Sequence, residues 1–244
     1  MRALAIGVDS NANAEDAISI GAMSNALDTD AISIGAQSDA GIQSVAIGGD
    51  GAGTGAGAGL GAQATGASAI AVGADTGALG TLAVAIGFDA QATVDGAIAL
   101  GGLSDATGVG AIAVGRQVQS TGIDSVAIGD GADATANETT AVGADAQATA
   151  LNAVAIGSAA TATANNTTAV GQGSQASDTF GAAFGWRANA GGNASTAIGT
   201  DTIASGFAST AIGVNADATQ SDALAVGAVT VSYTHLTLPT TPYV

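Results

Sequence analysis

Two short alternating segments recur along this chain every fourteen residues. The first reads apolar, Ala, apolar, Gly, as in Val84-Ala85-Ile86-Gly87, and its glycine falls at Gly73, Gly87, Gly101, Gly115, Gly129, Gly143, Gly157, Gly171, Gly185, Gly199, Gly213 and Gly227. Across these units the residue two before the glycine is always Ala, from Ala71 to Ala225. Upstream the mark appears at Gly7, Gly21, Gly35 and Gly48, with Gly61 as a weaker member, so the stretch 48–73 is irregular. The second segment reads Ala-x-Ala-Thr in its clearest forms, Ala90-Gln91-Ala92-Thr93, Ala132-Asp133-Ala134-Thr135, Ala146-Gln147-Ala148-Thr149 and Ala216-Asp217-Ala218-Thr219. Both segments alternate with period two between Gly, Asn, Asp and Ser, which predicts strands and turns. Alanine favours helix, but a glycine every few residues overrides it.

A unit of two strands and two turns cannot bury its own face, so successive units are expected to stack, each strand pairing with its equivalent one unit away. The expectation is an all-β, single-stack parallel β-roll: a solenoid of about sixteen repeats over residues 1–230.

The faces of the strands carry this reading toward assembly. The second strand sets Ala on one face and Gln, Asp or Asn on the other, as a half-exposed strand does. The first strand is apolar on both faces, its central Ala (Ala85, Ala99, Ala113) alternating with branched residues. If the Ala face closes the interior, Val84, Ile86, Ile112, Val114, Val126, Ile128, Val154 and Ile156, together with Phe184, form an exposed apolar stripe of the kind that marks a subunit interface. The alternative is a wider roll with the branched residues inside and the Ala face toward solvent. Thr140, Thr168, Thr196 and Thr210 interrupt one side of the branched face.

Ser44-Val45-Ala46-Ile47-Gly48, Ser125-Val126-Ala127-Ile128-Gly129 and Asn152-Ala153-Val154-Ala155-Ile156-Gly157, each followed by an Ala-x-Ala segment, resemble the head repeats of trimeric autotransporter adhesins of the YadA type. The resemblance runs over about residues 3–229. It implies a left-handed roll, a homotrimer, and display on the outer surface of a Gram-negative bacterium with host extracellular matrix or cell-surface molecules as partners. No neck, heptad stalk or membrane-anchor strands are read in the sequence, so export and anchoring are expected to depend on segments outside it. This segment is expected to make no direct membrane contact.

Composition narrows the chemistry. Three Arg (Arg2, Arg116, Arg187) and no Lys stand against twenty acidic residues, for a net charge of -17, which argues against a nucleic-acid backbone as partner. There is no Cys, and the single His, His235, lies outside the repeats, so neither a Ser/His/Asp triad nor an ordinary zinc site is expected within them. No cofactor and no catalysis are expected. The glycine-dense run Gly48 to Gly55 lacks the Lys of a phosphate loop and matches a calcium-binding repeat only at Gly48-Gly49-Asp50.

Aromatic residues make up 3% of the chain, and Phe180, Phe184 and Trp186, beside Arg187, are their one concentration. Phe184 takes the branched position of its strand and is expected at the interface. Trp186 follows Gly185 in a turn and is expected to contact a ligand. Residues 231–244 hold both Pro, both Tyr and the only His. The string from Val231 to Thr240 resembles a translated sequencing adapter, so this tail is expected to be non-native and unstructured. Two other functions fit the repeat: a stiff scaffold in a phage tail fibre or surface layer, and a β-solenoid contacting ice or carbohydrate through its recurrent Thr.

Overall fold

The computed structural model describes residues 2–50 and 61–230 and is all-β, a parallel β-solenoid. It divides into two compact units, Met1–Thr149 and Ala150–Val244. Among the described residues, the first unit contains ten three-residue strands and ten two-residue strands, and the second contains six and five. In each unit the long strands form one parallel sheet and the short strands another. Registers advance by one repeat per step: Val84 to Ile98 to Ile112 to Val126 in the first unit, and Thr168 to Ala182 to Thr196 to Thr210 in the second.

The corners explain why so short a unit can turn twice. After the marker glycine the chain makes a four-residue turn, closed by a backbone bond in several coils, as from Ala132 N to Gly129 O (3.4 Å), and a second turn precedes the long strand, as from Ala83 N to Gly80 O (3.2 Å). The third residue of both turns has positive φ, at Asp145 (54°) and Leu82 (60°) for example, which is the conformation a type II turn requires. Asp and Asn tolerate that region better than other side-chain-bearing residues. Nine of the eighteen Asp occupy such corners: Asp9, Asp16, Asp30, Asp75, Asp89, Asp124, Asp145, Asp201 and Asp222. Much of the acidic excess is therefore a consequence of turn geometry.

The interior is thin. In most coils four inward positions, such as Ala83, Ala85, Ala90 and Ala92, are buried, and where Ala is absent these places hold Ser, Thr, Gly181 or Val118. Among the described residues Val118 is the largest fully buried side chain, and it lies against Gly115, where a β-carbon would stand 2.9 Å from its Cγ2. Some buried hydroxyls pair across the interior, Ser33 Oγ with Ser38 Oγ at 2.8 Å and Ser120 Oγ with Ser125 Oγ at 2.7 Å, and others, such as Thr139 and Thr167, donate to a backbone carbonyl three residues earlier, while Ser209 Oγ is buried without a partner. The central Ala of the long strand thus closes the core, and the branched residues face outward. The alternative of a wide roll filled by branched side chains is overturned. Once the short strand contributes Ala, the gap between the sheets is too narrow for Val or Ile on the other side.

One expectation about the repeat is also corrected. Gly61 does not end a strand of its own: Val45–Ile47 pairs directly with Ile70–Val72, and Asp39 with Gln63. Gly61, at φ 73°, stands two residues before Gln63 and takes the place of a corner residue. The irregular spacing is therefore an insertion between one long strand and the following short one. Gly51 to Gly55 of the glycine-dense run, and the tail 231–244, lie outside the described residues.

Candidate functional site

Two features of the outer surface are candidates for recognition. The first is the outward face of the long strands. Register partners stack Ile86, Leu100, Val114, Ile128 and Val142 in one column, and Ile70, Val84, Ile98, Ile112 and Val126 in the neighbouring one. In the second unit the equivalent outward column holds Val170, Phe184, Ile198, Ile212 and Val226, and the one beside it Thr168, Ala182, Thr196 and Thr210. These side chains are partly to well exposed, Ile86 at 42% and Phe184 at 39%. Val84, Ile112, Val114, Val126 and Val154 are half-buried, and Ile128 and Ile156 are exposed. A ladder of large apolar residues held open to solvent by the pairing of the strands is more than scattered exposure on a monomer's surface.

The sequence places three aromatics close together, and the structure distributes them. Phe180 is an exposed corner residue at φ 61°, Phe184 belongs to the apolar column, and Trp186 occupies the turn after Gly185. Trp186 is exposed, and the Arg187 guanidinium carbon lies 5.0 Å from its ring centroid. Arg187 Nη1 also stands 3.4 Å from Asp201 Oδ1 in the next coil.

The second feature is a polar groove of about 410 Å³ beside Arg187, on the outward face of the short strands. Gly173, Gln175, Arg187, Asn189, Asp201, Ile203 and Asn215 line it. Sequence reasoning singled out Trp186 and missed this groove. Its lining residues are four and two residues after successive marker glycines, so they are adjacent only once the coils stack. At the fold's other short-strand positions the outward residue is mostly Gln, Asp or Asn, and a Thr follows the short strand in four successive coils, exposed at Thr107, Thr121, Thr135 and Thr149.

Electrostatics along the short-strand face is acidic. Burial, and then the Asp89 carboxylate, raise Asp105 above the ordinary value of 3.8, and burial followed by Asp145 does the same to Asp133. Arg116 bridges to Asp130 at 2.6 Å, both exposed. Among the described residues no three His, Cys, Asp or Glu side chains gather closely enough to hold a metal ion.

Overlapping segments 2–22, 12–38, 78–104, 106–132, 120–146, 134–160, 148–174, 162–188, 176–202 and 204–229 match the YadA head domain repeat. The chain belongs to the YadA head-repeat family. Among solved structures, the collagen-binding domain of the Yersinia adhesin YadA is similar to it, with 26% identity over 81% of this chain and 84% of that one, and a TM-score of 0.37. No curated protein matches the chain. Each matched segment holds about two coils, and in strands such as Val126–Ile128 and Val154–Ile156 it includes both the inward Ala and the outward branched pair.

Proposed function

We propose that this chain is the head of a trimeric autotransporter adhesin, displayed at the outer surface of a Gram-negative bacterium and attaching it to host matrix, cells or other surfaces. The observation that carries the reading is the in-register apolar column on the long strands. Three copies packed on that face would each remove a ladder of Val, Ile, Leu and Phe side chains from water, at roughly 25 cal/mol per Å² of apolar surface. The interface residues would be Val84, Ile86, Ile112, Val114, Val126, Ile128, Val154, Ile156 and Phe184, with Trp186 outside the interface and open to a ligand. Trimerisation leaves the short-strand sheet of every copy facing outward, so weak contacts add by multivalency.

Light scattering on the purified chain tests assembly. A mass of three chains is expected, and Ile128→Asp with Ile156→Asp is expected to return it to one. Binding to immobilised collagen and other matrix proteins is expected to fall at least tenfold in that variant, because avidity is lost with the trimer. A soluble, monodisperse monomer of the unaltered chain would contradict the proposal.

A further inference from the structure

The groove beside Arg187 is unlike the rest of the short-strand face, and we propose that it is a binding site for a neutral saccharide unit of a glycan. This names a ligand class for the adhesive reading above and rests on it only for the biological setting, since the groove is built within one chain.

Four observations point there. First, the groove collects planar side chains that combine donors and acceptors: the amides of Gln175, Asn189 and Asn215, the Asp201 carboxylate and the Arg187 guanidinium. Such forks match the vicinal hydroxyls of a sugar, each of which donates and accepts at once. Second, Arg187 is held in advance. Trp186 lies under its guanidinium at 5.0 Å and Asp201 faces one of its nitrogens at 3.4 Å, yet its side chain is 63% exposed, so donors remain for a ligand. An arginine fixed before binding loses less conformational freedom when the ligand arrives.

Third, Asn189 Oδ1 is buried without a hydrogen-bond partner. Nothing in the protein rewards that orientation, and turning the amide toward the groove costs it no bond. Fourth, Ile203 interrupts the polar column at the groove, where the outward position elsewhere is mostly Gln, Asp or Asn, with Gly77 and Thr161 the other exceptions among the described residues. It gives a sugar's C–H face an apolar surface. Gly173, at φ 64°, opens the end: a β-carbon there would touch the Arg187 stem at 3.5 Å. The one cation is matched by one carboxylate within a chain of net charge -17, which disfavours a polyanion and favours a neutral ligand.

The test is a printed array of neutral oligosaccharides probed with the full chain, followed by titration calorimetry of the strongest binder. Arg187→Ala is expected to weaken that binder at least tenfold. Arg187→Lys, which keeps the charge and loses the planar fork, is expected to weaken it nearly as much, and exposed Asn215→Ala several-fold. All three should keep the wild-type circular dichroism and oligomeric mass, and raising salt from 0.05 to 0.5 M should change affinity little. Absence of any neutral binder, or binding unchanged by Arg187→Ala, overturns the site. Competition at Arg187 by a collagen peptide with no saccharide bound assigns the groove to peptide and overturns it equally. Matrix binding that survives Arg187→Ala leaves the adhesive head standing without this site, so the two readings fail separately.

Discussion

Gly87 sits directly below Gly101 in the stack, so that a β-carbon added to Gly87 would stand 2.5 Å from the Gly101 carbonyl oxygen. Gly87 also has φ 140°, a region that L side chains rarely adopt. Gly87 is thus required twice, by its own backbone and by the carbonyl of the next coil, and Gly73, Gly101, Gly115, Gly129, Gly157, Gly171, Gly185, Gly199 and Gly213 are placed in the same way. Gly87→Ala is expected to cost about 3 kcal/mol or more, as strain and clash add. Urea unfolding followed by circular dichroism measures it, and the exposed substitution Gln119→Ala serves as the near-neutral control.

The corner residues make the opposite prediction. Ala159 has φ 54° and is exposed, so its methyl group pays for a left-handed conformation that glycine adopts freely. Ala159→Gly is expected to stabilise the chain by about 0.5–1 kcal/mol, after the greater entropy of an unfolded glycine is subtracted. Its neighbour Ala160 is buried with no such strain, and Ala160→Gly is expected to destabilise by about 1 kcal/mol. Opposite signs at adjacent alanines in thermal melts would confirm the turn geometry.

A thin core has little tolerance for volume. Ala127 is fully buried between register partners Ala113 and Ala141. Ala127→Leu is expected to cost about 1–3 kcal/mol or more through overpacking, despite its greater hydrophobicity. Ile128→Leu, one residue along and pointing outward, is expected to change monomer stability little. The comparison separates the inner face from the outer by equilibrium unfolding alone.

The raised carboxylates set a pH dependence. In the native state Asp105 and Asp133 hold their protons more tightly than the ordinary value of 3.8, so the folded chain binds more protons than the unfolded one between the two values. Stability is expected to rise as pH falls from 7 through the raised native values, and this contribution levels off below 3.8. Asp105→Asn, which copies the neutral acid, is expected to raise the melting temperature at pH 7 and to flatten its dependence on pH. A melting temperature that falls steadily from pH 7 to about 4.5 would contradict the sign.

How much of this was legible in the sequence follows from what each feature depends on. The fourteen-residue spacing determined the coil, its two strands and its two turns, because strand pairing in a stack repeats whatever one unit does. The Asp and Asn at the corners and the glycine at the end of each long strand were readable for the same reason. Alternation in Val126-Ala127-Ile128 established that the strand has two apolar faces. It left open which one is inside, since a period of two is blind to direction.

The tertiary structure decided that question through the width of the gap: Ala132 and Ala134 of the facing short strand leave room for Ala127 and none for Val126 or Ile128. It also moved Gly61 from a strand end to a corner, because Val45–Ile47 finds its register partner at Ile70–Val72 whatever the intervening length. The groove at Arg187 belongs to the structure entirely. Gly173, Arg187, Asp201 and Asn215 are neighbours only across stacked coils, and a side chain's position in one repeat carries no record of its companions in the next. The sequence by itself determined the repeating unit. Only stacking decided its inside, its outside and the place where a ligand can sit.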